Sequence, residues 1–260
     1  METKTLKSWE GFEDELVRIN AETISLRKKT QRYVVEPFFR GHGCSEWPLE
    51  TTLDRIQKGM SVSDYYRIIE SVQKHVATCT SEKWDLNTEI KILGFKFRAP
   101  EFLAYLRHNG FPSPLLDWTR SPYIAAYFAF RDVSSPRQQQ EYVSIFVYRE
   151  FAGKSKFVWG DKAHICVPGS NITTHRNHYL QQSEYLFCVK EESKDKWFFA
   201  NFEDVPPHEG QDDLVKYNIP ISEQQKVLRK LDSMNITAYS LFNSEPALME
   251  TLALREIILE

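Results

Sequence analysis

Apolar side chains recur every three or four residues near the start of the chain: Trp9, Phe12, Leu16 and Ile19. This spacing puts them on one face of a helix, so it predicts an N-terminal amphipathic helix over residues 7–26. Aromatic and β-branched residues dominate residues 33–41 and predict a strand. Pro37 lies within it, and a proline there indicates a sheet edge or a bulge.

Two more helices are predicted over residues 61–80 and 100–109 from apolar positions at helical spacing. Gly110 stands where a glycine often ends a helix, and Pro112 follows shortly after. Ser121 and Pro122 predict the start of a further helix, because serine caps free backbone N–H groups and proline at the first helical position has no N–H to lose.

Residues 142–148 are apolar at nearly every position, which is typical of a central strand covered on both faces. Further strands are predicted over residues 184–189 and 197–202. A helix is predicted over residues 222–234, with Ser222 and Gln225 at capping-box spacing.

The composition is that of a globular protein, and the length of 260 residues favours one domain over residues 1–260. No apolar run approaches the ~20 residues of a membrane helix, so we expect a cytoplasmic protein with no membrane partner. The four cysteines are scattered, and we expect them to be buried free thiols.

The net charge of −3 argues against a broad surface for duplex nucleic acid. Residues 27–32 nevertheless form a local basic run, which could also be a solvated helix end.

The common sequence signatures of nucleotide, dinucleotide, hydrolase and zinc-protease sites are absent. His175 and His178 have the spacing of one helical turn, but no third ligand accompanies them, so we expect a surface pair and no metal site.

Arg40 follows a run of hydrophobic residues and is flanked by Phe39 and Gly41. A guanidinium held in a fixed place offers a rigid fork of donors that matches phosphate oxygens, and a small neighbour lets a ligand approach. Arg40 could equally be a structural residue paired with a carboxylate such as Asp117.

The segment from Asp117 to Pro122 crowds a carboxylate, an aromatic ring and two hydroxyls at a predicted helix N-terminus, where backbone donors favour anions or polar ligands. Taken singly, Ser121 could be only a cap, and Thr119 and Asp117 could be residues that lead into the helix. Glu184 begins an aromatic strand, where it could hold a carboxylate at a cleft rim or be an ordinary strand-end glutamate.

At these residues the sequence resembles the FRG-domain family, named for the Phe-Arg-Gly that stands here as Phe39-Arg40-Gly41. The resemblance extends to residues 108–113, to the Leu-Leu-Asp-Trp-Thr of residues 115–119, to Ser121-Pro122 and to the helix that follows. Residues 9–19 and 219–242 are similar to the opening and the ending of the family, so that the resemblance covers nearly the whole chain. A family segment of the form Gln-Gln-Gly-x-Phe has its counterpart in residues 181–187, with a departure at Ser183.

The order of these motifs also resembles the Arg-Ser-Glu class of ADP-ribosyltransferases. That resemblance implies an α+β fold with an ADP-ribosyltransferase-like central mixed β-sheet flanked by helices, including a helical C-terminal end over residues 222–258. It implies Arg40, Ser121 and Glu184 as catalytic residues. The residues that it implies for binding NAD are Phe39, Arg40, Gly41, His42, Asp117, Trp118, Thr119, Ser121 and Gln182.

The resemblance implies NAD as the donor of ADP-ribose to a macromolecular acceptor. The basic run at residues 27–32, together with aromatic residues of the kind that are often exposed, favours RNA or DNA over protein as that acceptor. The resemblance further suggests a toxin or phage-defence effector, which an antitoxin or chaperone could hold in check. The chemistry is coherent, because a carboxylate such as that of Glu184 stabilises the positive charge that develops on the ribose as nicotinamide leaves. Trp118 or Phe39 could stack on nicotinamide or be plain core. The alternatives are a catalytically inactive module that binds a nucleotide or a partner, and NAD hydrolysis without an acceptor.

Overall fold

The computed structural model describes residues 1–30, 33–131, 141–152, 162–169, 172, 176–206 and 212–259. Within these ranges the helices are Trp9–Thr30 (α1), Val62–Thr80 (α2), Pro100–His108 (α3), Pro122–Phe130 (α4), Arg176–Leu180 (α5), Gln224–Ser233 (α6), Ala238–Phe242 (α7) and Glu245–Ala253 (α8). Short 3-10 turns cover Phe202–Asp204 and Ile221–Glu223, and a π turn covers Leu254–Ile258.

The strands are Glu2–Thr5 (β1), Tyr33–Val34 (β2), Phe38–His42 (β3), Glu89–Ile92 (β4), Phe95–Arg98 (β5), Leu116–Thr119 (β6), Tyr142–Arg149 (β7), Phe151–Ala152 (β8), His164–Cys166 (β9), Ser183–Ser193 (β10), Lys196–Phe199 (β11) and Asp213–Pro220 (β12). The main sheet has the order β1-β12-β7-β3-β6-β10-β11, with β9 also paired to β10. Only β1 and β12 are parallel among these pairs. The predicted α+β class, a central mixed sheet flanked by helices, is confirmed.

Strand β7 lies between β12 and β3, as its continuous apolar run predicts. Its residues alternate between the two faces of the sheet. Val143, Ile145 and Val147 pack with α1, α4 and α6 in one core cluster. Phe146 and Tyr148 pack on the other face with Trp118 and its neighbours. Both faces are therefore covered, which explains why no polar alternation marks this strand.

The sheet opens between β3 and β6. These two strands share a single residue pair, Phe39 with Thr119, whereas β3 continues along β7 and β6 continues along β10. Beyond that pair the strands separate, and side chains rather than backbone hydrogen bonds fill the gap. A cavity lies there.

Helix α4 packs directly on β3 because Gly41 has no side chain. A Cβ atom at Gly41 would lie 1.9 Å from the carbonyl oxygen of Ala125 and 2.7 Å from the backbone nitrogen of Ala129. No side chain fits in that space. Gly41 therefore fixes how closely α4 approaches the edge of the gap.

Several predicted boundaries are wrong. The single strand over residues 33–41 is two strands, β2 and β3, separated around Pro37, which has no N–H to donate to a sheet. The helix predicted from Ser222 begins at Gln224 without the predicted capping box, and the Glu223 carboxylate accepts hydrogen bonds from the backbone N–H of Trp9 and from Lys226. Strand β11 ends at Phe199, short of the predicted end at residue 202.

None of the helices in the described parts of the chain has the length and apolar character needed to cross a bilayer. All four cysteines are free, as predicted, but Cys79 near the end of α2 is exposed rather than buried.

Candidate functional site

A cavity of about 410 Å³ lies where β3 and β6 separate. Its lining includes seven of the residues that the sequence predicts for a site: Phe39, Arg40, Gly41, His42, Asp117, Trp118 and Thr119. The segments 39–42 and 117–119, which are remote in sequence, thus meet at one cavity.

Arg40 bridges the gap between the two strands. Its Nη1 donates to the backbone carbonyl oxygen of Asp117 at 2.5 Å, and its Nε donates to Nε2 of His42 at 3.1 Å. Its third nitrogen, Nη2, makes no hydrogen bond within the described residues. Arg40 is thus held at two points and still offers a donor to the cavity that it lines.

The charge of Arg40 is costly to bury in this position. The pKa of its guanidinium is lowered to about 10, chiefly by burial; the charge of Asp117 opposes this shift, and the nearby charges of Arg107 and Arg55 add to it. A pKa of about 10 still leaves the group charged at neutral pH. The positive charge at the centre of the cavity is therefore desolvated and favours an anion.

His42 orients Arg40. Burial lowers the pKa of His42 well below its usual value of 6.5, and the adjacent Arg40 lowers it further. The imidazole packs edge-on against Phe146, with ring centroids 4.8 Å apart. Since Nε2 accepts from Arg40, the single ring proton of the neutral imidazole is on Nδ1. His42 is thus an acceptor in a fixed orientation.

One of the two interpretations of Arg40 was that it pairs with the carboxylate of Asp117. This ion pair is not formed. The Oδ2 atom of Asp117 accepts instead from Nη2 of Arg107, at 2.5 Å. Arg40 contacts only the backbone carbonyl of Asp117. The carboxylate is therefore engaged by a different arginine, and Arg40 has no directly bonded counter-ion within the described residues.

Arg107 and Arg55 also line the cavity, although neither was predicted as a site residue. Arg107 comes from the last turn of α3. Arg55 follows a turn in which the buried Asp54 accepts hydrogen bonds from the hydroxyl and the backbone N–H of Thr51, at 2.7 and 3.2 Å. The position of Arg107 immediately before the segment 108–113 was a signal that could have indicated it.

The charged lining is strongly unbalanced. Three arginines, Arg40, Arg55 and Arg107, line the cavity, and Asp117 is its one carboxylate among the residues that the structure describes. An excess of fixed cations in a concave, partly desolvated site raises the local concentration of anions. The cavity is therefore suited to a phosphate-bearing ligand.

Thr119 and Ser121 organise the start of α4. The Thr119 hydroxyl donates to the carbonyl oxygen of Gln181 at 2.7 Å and accepts from the N–H of Ser121 at 3.1 Å. The Ser121 hydroxyl accepts from the N–H of Ile124 at 3.3 Å, which is the predicted N-cap. Ser121 is not among the described residues that line the cavity.

Glu184 is also absent from the cavity lining. It is the cross-strand partner of Trp118. The ring of Trp118 packs against Tyr148 and Phe202, on the face of the sheet opposite to Ser183. Partners across a sheet share a face, so Glu184 points away from the face that carries Ser183. The Oε1 atom of Glu184 accepts two hydrogen bonds from Arg120, one from Nε at 2.8 Å and one from Nη2.

Gln182 lies outside the cavity as well, at a backbone φ of +48°, and its carbonyl accepts from the N–H of Arg120. Its neighbours Gln181 and Ser183 line the cavity instead. The structure thus gathers Arg40 with the Asp117 segment, and it does not bring Arg40, Ser121 and Glu184 together around this cavity.

Two aromatic residues that the sequence suggested as stacking partners are core residues. Trp118 and Phe39 are 2% and 3% exposed. Trp47, which the sequence analysis did not select, lines the cavity and is 52% exposed. Trp47 is therefore a half-exposed aromatic side chain at the cavity.

Among the residues that the structure describes, no group of three or more histidine, cysteine or acidic side chains is arranged to hold a metal ion. His175, one of the two histidines at helical spacing, lies outside the described residues.

The FRG domain model matches residues 36–138 of the chain. The match includes β3, α3, β6 and α4, and thus Arg40, Arg55, Arg107 and Asp117. It covers less than half of the 260 residues, so the predicted resemblance of residues 9–19 and 219–242 falls outside it. No curated protein and no solved structure matches the chain. This part of the chain is therefore similar to FRG domains.

Proposed function

We propose that the cavity binds NAD and that the protein transfers ADP-ribose from NAD to a macromolecular acceptor. The observation that supports it is the partly buried Arg40, fixed by His42 and by the Asp117 carbonyl, with one nitrogen left for a ligand and two more arginines around it. Arginine forks bind phosphate oxygens in pairs, and the diphosphate of NAD supplies such oxygens. The cavity volume lies within the range of small-molecule sites.

In the proposed reaction the bond between the nicotinamide nitrogen and the anomeric carbon of the ribose breaks. Nicotinamide leaves with the bonding electrons, and a nucleophilic atom of the acceptor forms a bond to the same carbon and gives up its proton. Arg40 and its neighbours hold the diphosphate, which fixes the ribose relative to the acceptor. The carboxylate of Glu184 is the group that we assign to stabilising the charge on the ribose.

The acceptor that we favour is RNA or DNA rather than protein, in keeping with a toxin or phage-defence effector that an antitoxin or chaperone could restrain. The basic run at residues 27–32 gave this preference, and its last two residues lie outside the described part of the chain. Arg27 forms an ion pair with Glu36 at 2.6 Å, which reduces what it could offer to nucleic acid. Transfer to separate RNA, DNA and protein fractions distinguishes these acceptor classes.

A second candidate is a module that binds a nucleotide without cleaving it. The position of Glu184 favours this function, because its carboxylate is held by Arg120 and does not line the cavity. The two candidates share the arginine cavity and differ in whether the ribose bond breaks.

The test uses purified protein, NAD labelled in its adenylate half, and RNA, DNA and protein fractions from cells. Calorimetry measures NAD binding, and chromatography measures nicotinamide release. We compare the wild type with Arg40→Ala, Glu184→Gln and the surface control Arg67→Ala, whose side chain is 78% exposed and paired with Asp64.

Transfer predicts a labelled fraction, lost in Arg40→Ala and Glu184→Gln and retained in Arg67→Ala. Binding that weakens about 10- to 100-fold in Arg40→Ala, without nicotinamide release from the wild type, supports the binding module. Failure of the folded wild-type protein to bind NAD overturns the transfer function, and failure to bind ADP as well overturns the binding module.

A further inference from the structure

A second cavity, of about 550 Å³, adjoins the arginine cavity. The two share three lining residues, Gly43, Trp47 and Phe128. The second cavity lies between α4 and the C-terminal helices, with lining residues from α6, α7, α8 and the π turn. One ligand could therefore extend from the first cavity into the second past Trp47.

The charges of the two cavities differ. The charged residues among the described lining of the second are Arg131 and Glu250, and they pair with each other at 2.8 Å. Glu250 also accepts a hydrogen bond from the Tyr127 hydroxyl at 2.8 Å, and burial raises the pKa of that phenol, which keeps it a donor. This cavity is therefore electrically balanced, in contrast to the arginine cavity.

The rest of the second cavity is mainly apolar. Phe128, Leu228 and Leu254 contribute to it, and the Arg131 guanidinium stacks over the ring of Phe242 at 4.9 Å. Phe242 lines the arginine cavity, so this stack forms part of the boundary between the two. An uncharged, flat and largely apolar group fits such surroundings better than an anion does.

Trp47 stands on the shared wall. Its indole is half-exposed and lies at 61° to the plane of the His42 ring, with centroids 6.2 Å apart. An indole face next to a cationic cavity is a stacking surface for a heteroaromatic ring, and such stacking tolerates any base because every base has a π face. His42 in turn holds Arg40, so the stacking surface and the anion site lie side by side.

We infer that the two cavities form one two-chambered nucleotide site, in which the arginine chamber takes the phosphates and the second chamber takes a nucleobase stacked on Trp47. This inference deepens the proposed function and rests on it for the phosphate end. It adds a base-binding residue that lies outside the strand and helix motifs recognised in the sequence.

The test measures the binding of ADP and of inorganic pyrophosphate to the full chain by calorimetry. We expect ADP to bind wild-type protein more tightly than pyrophosphate does. Trp47→Ala should weaken ADP binding by about fivefold or more and leave pyrophosphate binding unchanged. Trp47→Phe, which keeps an aromatic face, should retain most of the ADP affinity, and Arg40→Ala should weaken both ligands.

Equal binding of ADP and pyrophosphate by the wild type would overturn the inference, as would unchanged ADP binding by Trp47→Ala. Thermal unfolding of each variant excludes loss of the fold as the cause. NAD binding that depends on Arg40 but not on Trp47 would refute the second chamber and leave the proposed function standing. ADP binding that depends on Trp47, in a protein that does not bind NAD, would do the reverse.

Discussion

The guanidinium of Arg40 donates to the backbone carbonyl of Asp117 across the gap between β3 and β6, at 2.5 Å. Two strands that share a single residue pair are thus linked a second time by a side chain. The same residue carries the positive charge of the cavity. The opening of the sheet and the anion site are therefore one structural feature, and changes to either should affect the other.

Gly41→Ala should destabilise the protein, because the added Cβ would overlap the backbone of α4 at Ala125. The helix can relieve this only by moving away from β3, and we expect a loss of about 3 kcal/mol in the free energy of unfolding. Urea denaturation measures it.

The matched control is Gly11→Ala in α1. The nearest atom to a Cβ there is 3.9 Å away, in Leu6. Alanine is the better helix former, so this variant should gain about 0.5–1 kcal/mol. Two glycine-to-alanine changes should thus have opposite signs, and a loss in both would refute the steric argument.

His42 should make stability depend on pH. Burial holds its folded pKa well below 6.5, so the unfolded chain binds more protons than the folded chain as the pH falls below about 6.5. The contribution to stability is complete above that pH and is lost as the pH falls from 6.5 towards the folded pKa. The expected slope is at most about 1.4 kcal/mol per pH unit for one group.

Urea denaturation of the wild type and His42→Gln between pH 5 and pH 7.5 checks this. Glutamine keeps an acceptor for Arg40 but does not titrate, so the difference in stability between the two proteins should shrink or change sign as the pH falls. A difference that is constant with pH would mean that His42 titrates alike in the folded and unfolded states.

The pattern of hydrophobic positions predicted most of the elements around the site, because β3, α3, α4 and β7 are each specified locally. The capping of α4 by Ser121 and the buried run of β7 depend only on neighbouring residues. The convergence of Arg40, Arg55 and Arg107 could not be predicted, since it depends on how β3, a turn and α3 pack together.

Glu184 illustrates a different limit. The sequence placed it on a strand, which is correct. Its carboxylate lies outside the cavity lining and is held by Arg120, which is 64 residues away along the chain. A contact between such distant residues cannot be derived from apolar periodicity.

Arg120 and Glu184 should be energetically coupled. The Glu184 side chain is 8% exposed and Arg120 supplies two of its hydrogen bonds. Arg120→Ala leaves a buried carboxylate without this partner and should cost about 1–3 kcal/mol. Glu184→Gln removes the charge, so the double variant should be less destabilised than the sum of the two single variants.

A double-mutant cycle by urea denaturation measures this coupling. Simple additivity would mean that Glu184 is not held by Arg120 in solution, and would make its carboxylate available for the reaction that we propose.

Asp117→Asn should tighten the binding of inorganic pyrophosphate. The Asp117 carboxylate partly offsets the positive charge of Arg40 and accepts a hydrogen bond from Arg107. Removal of its charge therefore leaves three arginines that face the ligand without a carboxylate among the described lining residues. The Asp117 carbonyl that holds Arg40 belongs to the backbone and is unaffected by the substitution. For a partly exposed carboxylate we expect about fivefold tighter binding, or roughly 1 kcal/mol.

Calorimetry at two salt concentrations checks this, because added salt should reduce an electrostatic gain. Glu192→Gln is the control, since it removes the same charge from an exposed ion pair between Glu192 on β10 and Lys196 on β11. If both variants gain equally, net charge rather than the cavity is responsible. Weaker binding in Asp117→Asn alone would mean that the carboxylate's main role is to position Arg107, and that the fixed geometry of the arginines matters more than their summed charge.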